Sequence, residues 1–109
     1  MRLKVPEKTV VRDCLEYLHL LNIFAWRNNT GSIRTADNRF ISFGLVGSSD
    51  ILGCLNDGRL LAVECKSDTG KLSEQQKEFL EKVRKLGGLS IVARSYKDIE
   101  QALIANGYY

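Results

Sequence analysis

The chain has 109 residues, of which 44% are hydrophobic and 27% are charged, and its formal net charge is +3. This size and composition predict one small soluble domain over residues 1–109, with a single core. We expect no membrane association, because no apolar run reaches the length of a membrane span and no secretory signal pattern opens the chain. The single histidine, His19, excludes sites built from clustered histidines, and so small a net charge permits nucleic-acid binding without indicating it.

Three cysteines, Cys14, Cys54 and Cys65, are widely spaced and set in apolar patterns. An odd number in this arrangement is typical of reduced core residues in a cytoplasmic protein, rather than of a disulfide framework or a zinc site. We therefore expect all three to be free thiols in the core.

The spacing of apolar residues predicts a first helix over residues 6–21, opened by Pro6. Its apolar stripe consists of Val11, Cys14, Leu15, Leu18 and Leu21. Glu7 lies four residues before Val11 and therefore on the same stripe, whereas Glu16 lies off it. Glu7 is either a first-turn acid favoured by the helix dipole or part of a functional site, and the spacing leaves both interpretations open.

A first strand over residues 23–28 leads into a polar segment, residues 28–38. This segment is too polar for the core and predicts a loop or an irregular edge ribbon, followed by a strand or an extended stretch over residues 40–46. The arginines in or beside it are Arg27, Arg34 and Arg39. Such residues among Asn and Thr donors suit phosphate contacts, although a solvated loop explains them as well.

The strongest turn signal in the chain, Asn-Asp-Gly at 56–58, separates two apolar runs of strand length. A three-residue loop pairs Asp50 with Glu64 on one face of the hairpin, whereas a two-residue loop pairs Asp50 with Cys65. Gly58 stands at the position where the three-residue loop requires a left-handed residue. The turn therefore favours the register that brings the two carboxylates together.

Two carboxylates this close in a partly buried hairpin repel each other and raise one pKa unless a cation lies between them. A hard divalent cation, Mg²⁺ or Mn²⁺, is the natural occupant. Lys66 leaves the same face as Glu64 and adds a point charge suited to a phosphate oxygen or an attacking water. The alternative is a surface Asp50 in a turn, beside a Glu–Lys pair on a solvated sheet face.

Ser73 and Gln76 form a capping-box pattern that opens a helix running to about Leu86. Its inward face is expected to contain Leu72, Phe79, Leu80, Val83 and Leu86. Gln76 lies on that same face, where a polar side chain needs a partner. It either serves the capping box alone or points over the sheet at Glu64 and Lys66.

Gly87-Gly88 ends this helix and precedes a predicted buried strand over residues 89–93. A final amphipathic helix is predicted over residues 97–106, followed by Tyr108 and Tyr109, which are either frayed or packed on a neighbour. Its inward residues are Ile99, Ala102 and Leu103. The order of elements predicts an α/β fold, in which a mixed β-sheet is flanked by helices on both faces and the capped helix crosses between parallel strands.

Several short motifs occur together, in an order and at spacings known from one family. They are Trp26-Arg27-Asn28-Asn29-Thr30-Gly31, Gly47-Ser48-Ser49-Asp50, Glu64-Cys65-Lys66, Gln76-Lys77-Glu78-Phe79 and Gly87-Gly88. Over about residues 5–105 the chain resembles the VRR-NUC family of PD-(D/E)XK nucleases, in its stand-alone viral and bacterial form. The resemblance implies a restriction-endonuclease-like architecture and rests on the ordered set, since Glu-x-Lys alone is a weak signal.

The resemblance also implies hydrolysis of phosphodiester bonds with Mg²⁺ or Mn²⁺ as cofactor. Its expected metal ligands are Asp50, Glu64, Glu7 and the backbone carbonyl of Cys65. Lys66 would orient or deprotonate the attacking water, and Gln76 would hold the ligands or that water in place. Residues expected to contact DNA are Arg27, Asn29, Thr30, Arg34, Ser48 and Ser49.

The resemblance to stand-alone members of this size further implies cutting of branched DNA, including four-way (Holliday) junctions. Two symmetric cuts imply a homodimer, and the setting implied is the cytoplasm of a bacterial cell or a phage-infected host. Two other interpretations stay open: a catalytically inert nucleic-acid-binding module that keeps the fold, and a nuclease directed at RNA. The intact set of Asp50, Glu64 and Lys66 argues against the inert module, because binding alone does not need paired acids facing a phosphate.

Overall fold

The computed structural model describes residues 4–108, and within that range it contains three α-helices and six β-strands. The helices are α1 (Glu7–Leu20), α2 (Glu74–Lys85) and α3 (Tyr96–Ala105). The strands are β1 (Phe24–Arg27), β2 (Gly31–Arg34), β3 (Phe40–Phe43), β4 (Ile51–Cys54), β5 (Leu60–Cys65) and β6 (Leu89–Ala93). The predicted helices and strands are present, and the polar segment after β1 forms half of a two-stranded ribbon. None of the described helices is long and apolar enough to cross a bilayer.

Four strands form one mixed sheet in the order β1-β4-β5-β6, while β2 and β3 pair only with each other. In the sheet, β4 runs antiparallel to β1 and β5, whereas β5 and β6 run parallel. α2 connects the parallel strands β5 and β6, as the order of elements predicted. The chain therefore has the expected α/β architecture around a mixed sheet.

Helices cover both faces of the sheet, and β5 is buried between them. Leu61 and Val63 of β5 lie in the main core with residues of α1 and α3. Ala62, on the opposite face, packs with Leu80 and Val83 of α2. Because side chains alternate along a strand, Glu64 shares the α2 face with Ala62. β5 therefore places Glu64 on the face of the sheet that α2 covers.

Two side chains expected in the core are exposed. Leu86 is 80% exposed, because α2 ends at Lys85 and Leu86 is only its C-cap. Cys54 is exposed with its cross-strand partner Leu60 at the turn end of the β4–β5 hairpin. The other two cysteines are buried as expected, and all three are free thiols.

Tyr108 packs against the main core, one of the two outcomes left open for the last residues. Its hydroxyl donates to Asp57 Oδ2 (2.7 Å) and accepts from Arg59 Nε (2.7 Å), which ties the end of α3 to the hairpin turn. Tyr109 lies outside the described residues.

Candidate metal centre

The β4–β5 hairpin has the three-residue loop that the sequence favours. The N–H of Leu55 donates to the carbonyl of Arg59 (2.9 Å), and Gly58 has a φ of +90°. This left-handed conformation is the one the loop requires and glycine adopts without strain. The same register, continued past the start of β4, places Asp50 opposite Glu64 as predicted.

Asp50 is held by backbone groups on both sides. Its Oδ2 accepts a hydrogen bond from the N–H of Cys65 (2.8 Å), and its carbonyl accepts one from the N–H of Asn28 (2.7 Å). The chain leading to it passes α2 at Gly47, where φ is +84° and a β-carbon would lie 2.6 Å from the carbonyl oxygen of Gln75. Only glycine fits this close approach, which fixes the path of the chain into Asp50.

Glu64 places a carboxyl group in the interior. Its side chain is 2% exposed, Oε1 accepts a hydrogen bond from Gln76 Nε2 (3.0 Å), and Oε2 has no hydrogen-bond partner among the described residues. Burial, and then the neighbouring Asp50 carboxylate, raise the pKa of Glu64 to about 8. An ionised oxygen left without a partner in the interior is costly, so this group calls for a proton or a cation.

Glu7 and Lys66 complete the cluster. Glu7 lies in the first turn of α1, and carboxylate oxygens of Glu7, Asp50 and Glu64 all lie within 4.8 Å of one another. Lys66 is 8% exposed, and its Nζ lies 3.7 Å from Glu7 Oε1 and 4.0 Å from Glu64 Oε1. When ionised, three acids facing one ammonium group leave an excess of negative charge.

Gln76 makes both of the contacts that the sequence offered as alternatives. Its Oε1 accepts from the N–H of Ser73 (2.9 Å), while the Ser73 hydroxyl accepts from the N–H of Gln76 (3.2 Å), which is the predicted capping box. Its Nε2 donates to Glu64. The cap at the start of α2 therefore also fixes the rotamer that presents the amide to the acid cluster.

The donor atoms of this cluster fit a hard divalent cation. All three are carboxylate oxygens, which Mg²⁺ and Mn²⁺ prefer, and one of them belongs to the buried Glu64 with its unpartnered Oε2. The thiol of Cys65 lies on the other face of β5, where the contact with Cys14 and burial raise the pKa of that thiol. A ligand from Cys65 to this cluster would therefore be its backbone carbonyl, as the sequence resemblance implied.

The VRR-NUC domain family matches residues 8–97 of the chain. This chain belongs to the VRR-NUC family. The matched range includes Asp50, Glu64, Lys66 and Gln76, and it begins one residue after Glu7. Membership identifies a nuclease-type domain. No curated protein matches the chain.

The expected DNA contacts of this VRR-NUC domain differ in their exposure. Those that are exposed are Arg27, Asn29, Thr30 and Arg34. Ser48 is half-buried, and its hydroxyl accepts from Asn28 Nδ2 (2.7 Å) and donates to the carbonyl of Leu45 (2.6 Å). The expectation for Ser49 needs correction, because its side chain is fully buried. Its carbonyl accepts a hydrogen bond from Asn28 Nδ2 (2.9 Å), and its buried hydroxyl has no hydrogen-bond partner among the described residues.

The analysis of the sequence gave no role to two residues near the site. The side-chain amide of Asn28 donates to the Ser48 hydroxyl and the Ser49 carbonyl, and its backbone N–H donates to the carbonyl of Asp50. Arg94 follows β6 directly, and its guanidinium donates to the carbonyl of Ser67, just beyond Lys66. The parallel pairing of Cys65 with Ala93 brings Arg94 to this end of the sheet. Only the strand pairing, which is not local in sequence, identifies that cation.

Proposed function

We propose that this chain is a divalent-metal-dependent endonuclease that hydrolyses phosphodiester bonds in branched DNA, including four-way (Holliday) junctions. One observation carries the proposal: Glu7, Asp50 and Glu64, from three separate parts of the chain, converge beside Lys66. Clustered acids repel a phosphate, so a module that only binds nucleic acid gains nothing from them. A hydrolase that recruits a cation does need them.

The chain's own residues would divide the work of hydrolysis. Asp50 and Glu64, with Glu7 and the carbonyl of Cys65, would hold Mg²⁺ or Mn²⁺. Such an ion, when bound, lowers the pKa of its bound water. Its positive charge also stabilises the negative charge that develops on the phosphate. Lys66 would orient the attacking water or deprotonate it. The amide group of Gln76, which donates to Oε1 of Glu64, would hold this carboxylate in place and leave Oε2 free to bind the metal.

Exposed side chains at the end of β1 and in the segment after it would supply the contacts to DNA. They are Arg27, Asn29, Thr30 and Arg34, with Ser48 at the rim of the site. Phosphate contacts of this kind position a nucleic acid without reading its sequence, so recognition would depend on the structure of the DNA. A junction resolved by two symmetric cuts suits a homodimer, whose two-fold axis presents two equivalent sites.

Cleavage assays with purified protein test this proposal. The substrates are linear, flap and four-way junction DNA of matched length, each with Mg²⁺, Mn²⁺, Ca²⁺ or EDTA. We expect cutting of branched substrates with Mg²⁺ or Mn²⁺ and none with EDTA. Asp50→Asn, Glu64→Gln and Lys66→Ala should each abolish it, with native circular dichroism. Glu16→Gln is the matched control, because Glu16 lies on the same helix as Glu7 but is exposed and outside the cluster.

Three outcomes would contradict the proposal. Wild-type turnover in any of the three site variants would remove the assignment of the site. Binding of every substrate without cleavage under any metal would favour the inert module that keeps the fold. Faster cutting of RNA than of DNA of the same shape would favour the RNA-directed nuclease.

A further inference from the structure

Arg94 lies at the end of the sheet that carries the metal centre, although no part of the proposed reaction uses it. The N–H of Lys66 donates to the carbonyl of Ala93 (3.0 Å), and this bond continues the parallel pairing of β5 with β6 to the ends of both strands. Lys66 and Arg94 directly follow these strands and therefore stand side by side. The Arg94 guanidinium donates to the carbonyl of Ser67, the residue after Lys66. Two basic side chains therefore leave the sheet at the same end.

The guanidinium of Arg94 keeps most of its hydrogen-bonding capacity. A guanidinium has several N–H donors in one plane, and among the described residues only Nη1 of Arg94 makes a hydrogen bond, to the carbonyl of Ser67. The side chain is exposed, and no carboxylate of the described residues lies within ion-pair distance of it. The nearby Asp98 accepts the backbone N–H of Arg94 (2.8 Å) instead. The charge and the remaining donors of Arg94 are therefore open to an anion from outside the chain.

The charge of Lys66, by contrast, is directed at the chain's own acids. Its Nζ lies 3.7 Å from Glu7 Oε1 and 4.0 Å from Glu64 Oε1, and the residue is 8% exposed. When ionised, the acids outnumber this one cation, so the cluster by itself repels a phosphate. A phosphate that approaches the site needs, besides a metal ion, a cation that the acids do not neutralise. Arg94 is such a cation, and its planar fork matches two oxygens of one phosphate.

We infer that Arg94 binds the substrate: its guanidinium contacts a phosphate of the DNA strand that is cut, next to the metal centre. The inference deepens the proposed function and rests on it, since it names a residue that holds the substrate at the site of hydrolysis. Arg94 binds the phosphate and takes no part in activating water. In the free protein its guanidinium is already held at the carbonyl of Ser67, so less side-chain freedom is lost when a phosphate binds.

A purely structural role for Arg94 is the alternative that the test must exclude. The carbonyl of Ser67 also accepts a hydrogen bond from the N–H of Gly70 (3.1 Å), which closes a turn after β5. A β-carbon at Gly70 would lie 3.3 Å from Cδ of Lys66, so this turn packs along the Lys66 side chain. If Arg94 only held the turn, its loss would disturb Lys66 and the metal centre, whereas the number of phosphate contacts would stay the same.

The affinity for four-way junction DNA in Ca²⁺, measured at several salt concentrations, tests the inference. Arg94→Ala and Arg94→Gln should each weaken binding roughly tenfold, as expected for one lost charge-assisted hydrogen bond, and reduce the slope of log affinity against log salt by about 0.9. Arg94→Lys keeps the charge without the fork, so it should restore the slope and only part of the affinity. Arg84→Ala is the matched control and should bind as wild type, because Arg84 is an exposed arginine in the last turn of α2, at the other end of that helix from Gln76. All variants should keep the rise of the melting temperature with Mg²⁺, because the metal ligands are unchanged.

Three results would overturn the inference. They are wild-type affinity and slope in both neutral Arg94 variants, equal weakening by Arg84→Ala, or a lost Mg²⁺ response with an unchanged slope, which would assign Arg94 to the turn alone. If Arg94→Ala loses native circular dichroism, Arg94→Gln and Arg94→Lys carry the comparison. Binding in Ca²⁺ does not depend on cutting, so the two proposals fail separately. A protein that cuts no substrate but loses salt slope with Arg94→Ala removes the nuclease and keeps this contact, whereas an active nuclease whose Arg94 variants bind as wild type removes only the contact.

Discussion

Burying the carboxyl group of Glu64 costs free energy that the chain's own side chains only partly offset. Gln76 satisfies Oε1, but Oε2 has no partner among the described residues, and Lys66 Nζ lies 4.0 Å from Oε1, at the outer limit of an ion pair. Asp50 opposes it with a like charge. Without metal, the folded protein is therefore more stable when the carboxyl group of Glu64 is protonated.

The first prediction is that stability falls with rising pH in EDTA. The pKa of Glu64 is about 8 in the folded chain and 4.5 in its ordinary state, so between these values the folded state keeps a proton that the unfolded state releases. The unfolding free energy therefore decreases as pH rises from about 5 to 8, by at most about 1.4 kcal/mol per pH unit. Glu64→Gln, which cannot ionise, should lack this decrease.

The measurement is the melting temperature at several pH values in EDTA. The gap between Glu64→Gln and wild type should widen in favour of the variant as pH rises. Glu16→Gln is the control and should follow wild type. Parallel curves for Glu64→Gln and wild type would show that the Glu64 proton is not linked to folding.

The second prediction separates the two contacts of Gln76. Ser73→Ala removes the cap hydroxyl and should cost about 1 kcal/mol of stability, yet it keeps the donor to Glu64 and should retain cleavage. Gln76→Ala removes both contacts and should lower cleavage strongly at a similar loss of stability. Urea unfolding and cleavage rates, measured on the same preparations, check this pair. Equal cleavage rates in the two variants would mean that Gln76 serves the capping box alone.

At the scale of elements, the end of β1 and the ribbon each carry an exposed arginine. Arg27 pairs with Ile51 on β4, one residue from Asp50, and is exposed. Arg34 is paired with Phe40 in the ribbon, and its guanidinium lies over the Phe40 ring. We expect both side chains to contact phosphates, as exposed arginines commonly do in nucleic-acid-binding proteins.

The third prediction concerns the salt dependence of binding to junction DNA in Ca²⁺, which suppresses cutting. Each lost phosphate contact should reduce the slope of log affinity against log salt by about 0.9. Arg27→Ala and Arg34→Ala should therefore weaken binding to branched substrates of different sequence alike and flatten the slope. Lys85→Ala is the control, because Lys85 pairs with Glu81 at the far end of α2 from Gln76. If both arginine variants bind with wild-type affinity and slope, Arg27 and Arg34 are solvated side chains that make no contact with phosphate.

At the scale of the whole molecule, the acid cluster joins segments that are far apart in sequence. Glu7 opens α1, Asp50 precedes β4, and Glu64 lies on β5. The unfolded chain has no such cluster, so an ion bound there stabilises only the folded state. Metal binding is thereby linked to the packing of α1 against the sheet.

The fourth prediction is that the melting temperature rises as Mg²⁺ or Mn²⁺ is added. At one hundred times the dissociation constant, the ion should contribute about 2.7 kcal/mol. Glu64→Gln should lose this response, and Glu7→Gln should reduce it, whereas the exposed Glu16→Gln should keep it. The melting temperatures are measured by scanning fluorimetry. Equal rises in wild type and Glu64→Gln would mean that the metal binds elsewhere.

The sequence by itself determined those features that depend on local chemistry. Gly58 selected the loop, the loop set the register, and the register put Asp50 opposite Glu64. The capping box of Ser73 and Gln76 likewise fixed the start of α2. Turn and cap geometries involve a few neighbouring residues, so their preferences can be deduced without the rest of the fold.

Tertiary structure alone decided what depends on contacts between distant segments. The position of Glu7 beside the other two acids needed the packing of α1, which brings its carboxylate to 3.7 Å from Lys66 Nζ. The buried side chain of Ser49 and the exposed Cys54 also depend on which segment covers them, and local sequence preferences do not fix that. Arg94 reaches the carbonyl of Ser67, next to Lys66, only through the parallel pairing of β6 with β5. Partners distant in sequence are selected by the packing of the whole sheet rather than by neighbouring residues.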